Sequence, residues 1–249
     1  MSKKSFLFSA FCLPIFIAAS SAQAASVVWS APTTISGDSD VSTTGSLVSA
    51  YNFGAPGVGS ATVNGVTFQE FAVDDLSLVT VGSTTLSIET PGMLLPITIL
   101  GSASAPFANL STGYQTLLGS AVGAFNAPIL LTMSALSVGE TYQFQWWANE
   151  SGVANLLTST AIAGNSVTLA WNATNAEGGV GQYAIGTFTA DATTQQISFP
   201  DSASAASLIN GFQLRQTSST PSPVPEGGAT AALLALSMLG LVAIRRRKL

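Results

Sequence analysis

The sequence predicts an all-β fold, and two observations carry that expectation. Short runs alternate polar and apolar side chains with period two, the mark of half-buried strands. Clusters of Gly, Ser, Thr and Asn interrupt those runs at short intervals, as turns between many short strands would. Charge is scarce, at 8% of residues, and there is no His. The single cysteine, Cys12, lies near the N-terminus, so the rest of the chain is held by packing, without disulfides.

From the N-terminus, Lys3 and Lys4 precede an apolar stretch at residues 6–19 (FLFSAFCLPIFIAA). Fourteen residues are too few for a bilayer that needs about 20. Ala22-Gln23-Ala24 then supplies the small-residue pattern of a cleavage site. Residues 1–24 therefore read as a signal peptide, with Ala22, Ala24 and Ala25 at the cleavage point and Ala25 first in the mature chain. Phe11 stands where a lipoprotein would need a small residue before Cys12.

Residues 25–216 read as one sandwich or barrel, long enough for a single sizeable core. Within residues 61–68, Asn64-Gly65 suits the tight turn of a hairpin. Residues 110–122 (LSTGYQTLLGSAV) break the alternation and predict a short helix over one end of the sandwich. The clearest strand is residues 140–148 (ETYQFQWWA), with Tyr142, Phe144 and Trp146 on one face and Gln143, Gln145 and Trp147 on the other. Residues 166–171 place Val167, Leu169 and Trp171 inward, and residues 207–215 (SLINGFQLR) group Leu208, Phe212 and Leu214. No internal repeat stands out.

A Ser/Thr/Pro linker at 217–223 leads to residues 224–249. That segment holds Val224-Pro225-Glu226-Gly227-Gly228, an apolar run at 229–244, and the basic cluster Arg245, Arg246, Arg247 and Lys248. Sixteen helical residues span about 24 Å, enough to insert with local thinning of the bilayer. The basic cluster would stay cytoplasmic, with the preceding domain outside. A transmembrane anchor helix is the expectation.

Pro-Glu, a short apolar helix and a terminal Arg run together resemble the PEP-CTERM sorting signal, in its VPDSG-type variant. Gly227 stands where the basic pattern has a second proline, and Glu226 where the variant has Asp. The resemblance implies an exosortase-type membrane protease as partner, removing the tail in a Gram-negative bacterium that makes exopolysaccharide. It also implies inner-membrane anchoring before processing, then placement at the cell surface or in the extracellular matrix. Four stretches of the second half, 136–146 (LSVGETYQFQW), 181–190 (GQYAIGTFTA), 196–199 (QISF) and 209–214 (INGFQL), resemble galactose-binding-like jelly-roll domains. That likeness covers residues 127–215 and implies a single jelly-roll-type sandwich. Members of that family often bind sugars through loops and sometimes hold a structural calcium, but neither property transfers residue by residue. Asn210 stands where the family often has Asp.

Chemistry narrows by elimination. From Ala25 to Thr220 eleven carboxylates face one cation, Arg215, for a formal net charge of −10. Phosphate backbones and anionic lipid head groups need Lys and Arg, so nucleic acid is not an expected partner. Without His or a mature Cys, the usual nucleophile–base triads and zinc sites cannot be assembled. Paired carboxylates are what remains, and Glu70, Asp74 and Asp75 lie close together in sequence, yet no Glu-x-Asp-x-Glu pattern occurs. No catalytic residue, cofactor or metal ligand is therefore assigned. A structural Ca²⁺ at Asp38-Ser39-Asp40 competes with a plain solvated turn. Trp147 is the ligand candidate: beside Gln143 and Gln145 it would make a sugar platform, unless a helix or loop covers it. These readings converge on a non-catalytic envelope or matrix protein with an extracellular polysaccharide as partner. A structural component without a ligand is the alternative, since no Lys guards the sheet edges, and a glycan hydrolase is the third.

Overall fold

In a computed structural model, residues 25–74, 77–88, 92–125, 127–201 and 207–218 are described. Their strands in chain order are β1 (Val28–Trp29), β2 (Thr33–Thr34), β3 (Ser46–Gly54), β4 (Ala61–Val63), β5 (Val66–Ala72) and β6 (Leu78–Val81). There follow β7 (Thr84–Ile88), β8 (Leu94–Ile97), the one helix α1 (Thr112–Leu118), β9 (Ala121–Ala124), β10 (Ile129–Ser134) and β11 (Thr141–Ala148). The last are β12 (Thr158–Ala163), β13 (Asn165–Ala170), β14 (Gln182–Thr189), β15 (Thr194–Phe199), β16 (Ser207–Ile209) and β17 (Gly211–Ser218). An all-β sandwich is what the alternation predicted.

The large sheet runs β1-β14-β11-β17-β3-β5-β4, with β2 also on β14, and a six-stranded sheet runs β13-β12-β15-β10-β7-β6. A small third sheet, β16-β9-β8, closes one end. From β10 onward the chain passes repeatedly between the two main sheets, with β12 and β13 forming a hairpin within the six-stranded one. Pairing is antiparallel except between β3 and β5. Asn64 and Gly65 turn the β4–β5 hairpin with φ of 49° and 74°, the left-handed pair that a two-residue turn of this kind requires.

Between the two main sheets lies the principal core. Phe53, Phe71, Phe144, Trp146 and Phe212 face it from the large sheet; Leu86, Leu131, Ile197 and Phe199 face it from the other. Val167, Leu169 and Trp171 are inside it, as expected. A second apolar cluster sits on the outer side of the large sheet, where Phe68 and Trp147 meet Ile35, Val41, Tyr114, Leu117 and Leu118. Around Trp147 the large sheet is thus buried on both faces, beneath α1 and a strap of residues 35–45.

Three boundaries differ from expectation. The helix predicted over residues 110–122 is shorter. Ser111 caps it by accepting from the Tyr114 amide, Gly119 ends it, and residues 121–124 go to β9 instead. Gly113 lets it approach β4, because a Cβ there would collide with the Thr62 carbonyl. The single strand expected at residues 207–215 breaks at Asn210, which is fully buried. Its side-chain amide donates to the carbonyls of Leu118, Ser120 and Asn149 and accepts from the Asn149 amide, so it serves as a junction. Leu208, Phe212 and Leu214 still share the main core. β17 also runs on to Ser218, past the expected end of the domain at 216.

Candidate functional site

Trp147 does not present a sugar platform. It is 0% exposed beneath α1, edge-on to Phe68 at 5.4 Å between ring centroids. Its indole Nε1 donates to the Tyr114 hydroxyl at 2.9 Å, and that hydroxyl donates to Asp40 Oδ2 at 3.4 Å. An indole in an outer face needs both an apolar cover and an acceptor; α1 supplies both. Burial, and then the charge of Asp40, pushes the Tyr114 phenol well above its ordinary value, so it stays a neutral donor.

The acidic turn is likewise occupied by the protein. Asp38-Ser39-Asp40 forms one 3₁₀ turn. Asp40 is buried and accepts from the Ser36 amide at 2.7 Å, the Ser36 hydroxyl at 2.7 Å and the Gly37 amide at 2.9 Å. Asp38 accepts from the Ser111 hydroxyl at 2.6 Å. The carboxylates that a calcium ion would need are committed to protein donors, and no cluster of metal-ligating residues occurs among the described residues. Glu70 is similarly engaged, accepting from the amides of Gly57 at 2.7 Å and Gly59 at 3.0 Å. Asp74 is exposed, and Asp75 lies outside the described residues.

Arg215, the one cation of the domain, is also structural. Its guanidinium lies under the strap and donates to the carbonyls of Thr43 (3.1 Å), Thr44 (2.9 Å) and Gly45 (2.7 Å). Gln213 and Gln145 beside it donate to the carbonyls of Ser42 and Asp40. Five donated hydrogen bonds therefore bind the strap to β11 and β17. A lone arginine amid eleven acids was the available signal for this role.

An open groove crosses the outer side of α1. It comprises two adjoining recesses of about 380 and 610 Å³ that share Thr98, Gln115, Thr116 and Gly119. Pro56 and Val58 line one side; Ile99, 80% exposed, and Ser102 line the other. Both walls are fixed: Glu70 holds the Gly57–Gly59 loop, while buried Leu100 donates to the Gly119 carbonyl and accepts from the Ser151 amide. No charged residue lines either recess. Sequence reasoning missed this groove, since its residues come from α1 and two separate loops and carry no motif.

Of the sorting residues, Ala22, Ala24, Val224, Pro225, Glu226, Gly227, Gly228, Arg245, Arg246, Arg247 and Lys248 lie outside the described residues. Ala25 packs against the main core, and its carbonyl accepts from the Gln195 amide at 3.1 Å. Among the described residues no helix is long and apolar enough to cross a membrane. The expected anchor at 229–244 and the expected signal peptide both fall outside them.

Comparison with known proteins bears mainly on the tail. Residues 223–248 match the VPDSG-CTERM motif, a sorting variant of the PEP-CTERM type, and that motif implies an exported protein. No match is found among curated proteins. One solved structure, from work on the promiscuous specificity of carbohydrate-binding modules of the beta-sandwich superfamily, shares 14% identity over 60% of this chain and 71% of its own. Its TM-score is 0.14, a likeness that fixes neither the fold nor a ligand.

Proposed function

We propose that this chain is a non-catalytic protein of the cell surface or exopolysaccharide matrix, delivered through an exosortase-type system, whose folded domain binds neutral glycans. The observation that carries the reading is the VPDSG-CTERM match at residues 223–248, behind a sandwich with an uncharged groove. Lys3, Lys4 and the apolar run after them support export, and Arg245 to Lys248 support a transient inner-membrane anchor with the domain outside. The commitment of Asp38, Asp40 and Glu70 to protein amides and hydroxyls supports a non-catalytic role.

Intact mass of the protein recovered separately from membrane and extracellular fractions tests the delivery. A mass beginning at Ala25 and ending between Val224 and Gly228 is the expected result. Retention of Leu249 in all fractions would overturn removal of the tail.

A structural matrix component without a ligand is the second reading, and one observation favours it. β6 ends the six-stranded sheet as an uncharged edge strand with Leu78 and Thr80 exposed. Such an edge can pair with another chain. Reversible, concentration-dependent association in sedimentation experiments would support this role over glycan binding.

A further inference from the structure

Resting on the glycan reading above, we infer that the groove across α1 is the binding site and that its ligand class is a neutral oligosaccharide, with uronate-bearing and other acidic glycans rejected.

Three features of the groove point there. Its free polar groups are neutral and mixed in kind. The Thr98 and Thr112 hydroxyls have no protein partner among the described residues. Gln115 donates from Nε2 to the carbonyls of Ala108 and Leu110, which fixes the amide and leaves Oε1 as an open acceptor. A hydroxyl both donates and accepts, so this set suits a ligand made of hydroxyl groups. The walls are apolar between those groups, through Pro56, Val58 and exposed Ile99, and can cover the C–H faces of a sugar ring. The recesses are of the size and preformed character that small-ligand sites have.

Charge provides the selectivity. Three carboxylates surround the groove without entering it: Asp38 bonds Ser111, next to Thr112; Glu70 bonds the Gly57 loop; and Glu150 bonds the Gly152 amide beside the 99–101 loop. The one cation of the folded domain lies under the strap. An acidic polymer would thus meet repulsion with no compensating cation, whereas a neutral one meets only hydrogen-bonding groups.

The test uses the full chain in a zwitterionic detergent against immobilised glucan, mannan, galactan and xylan oligomers, with alginate and polygalacturonate oligomers as the acidic set. Calorimetry follows on whichever are retained. Thr98→Arg fills the groove, Thr112→Val removes one hydroxyl at constant shape, and Thr132→Lys, on the far sheet, is the control; unchanged melting temperatures establish that each is folded. The expected result is retention of neutral oligomers alone, weakened about tenfold or more by Thr98→Arg and about threefold by Thr112→Val, and unchanged by Thr132→Lys. Neutral binding that both groove variants leave intact would overturn the site while sparing the glycan reading. Acidic oligomers held more tightly than neutral ones would overturn the ligand class. Retention of no oligomer would remove the glycan reading itself, and this site with it.

Discussion

The two main sheets of this sandwich share a core, yet their outer faces are opposites. On the large sheet the outer face is roofed by the strap and α1, and its polar groups are buried and tightly bonded: Gln145, Gln213, Arg215 and Asp40. On the six-stranded sheet the outer face is open and none of its strands carries a charged residue. Thr80, Thr85, Thr132 and Gln196 lie side by side across four of its strands. Thr80 and Thr85 share a hydrogen bond at 2.9 Å, and Gln196 donates to Thr132 at 3.2 Å. One face spends its polar groups inside the fold; the other leaves them at the surface. The difference teaches where stability is sensitive, because a buried polar group stripped of its partner costs far more than an exposed one.

Four substitutions test that contrast. Trp147→Ala should have the largest effect, a loss of about 4 kcal/mol in chemical denaturation, since it empties the second core and removes the indole donor to the Tyr114 hydroxyl. A loss below about 1 kcal/mol would mean that α1 packs loosely. Asp40→Ala leaves the Ser36 and Gly37 donors unpaired and should cost about 3 kcal/mol, read as a fall in melting temperature of roughly 10 °C. Arg215→Lys retains charge but cannot reach three carbonyls at once, and should cost about 2 kcal/mol while exposing the strap to early amide exchange. Thr132→Lys, on the open face, should change stability by no more than about 0.5 kcal/mol. A cost there equal to that of Arg215→Lys would erase the distinction between the faces.

Glu150 gives a pH-dependent counterpart. Burial raises its pKa above the ordinary 4.5, partly offset by the Gly152 amide. In the window just above 4.5 the folded chain holds a proton that the unfolded chain has released, so stability falls as pH rises through it. Above the folded pKa that penalty is complete. Glu150→Gln keeps an acceptor for Gly152 and should flatten this part of the stability–pH curve, as urea titrations across pH 4–7 would read it.

Much of the principal core was legible in the sequence, because period two separates Tyr142, Phe144 and Trp146 from their neighbours without reference to the rest of the chain. The roof was only partly legible. Residues 110–122 announced a helix, but its seat on Trp147 depends on Gly113 meeting Thr62, a contact across 51 positions that no local pattern encodes. Asn210 shows the same limit: it stands in the inward register of Leu208, Phe212 and Leu214, and its contacts with Asn149 and Leu118, distant in sequence, split the strand in two. The groove was not legible at all. The tail, in contrast, was read directly, since a sorting signal is recognised as a linear string.

β17 is the strand that leads toward that tail, and it lies inside the large sheet, hydrogen-bonded to β11 on one side and β3 on the other. Tension arriving from a tether at the C-terminal end would therefore run along the axis of an interior strand. Two ladders of bonds would be loaded in shear together and would have to slip in concert, whereas an edge strand would peel one bond at a time. Arg215 extends the same load path into the strap through three further bonds. A pull on the C-terminal end would thus reach the middle of the sheet before any of its edges.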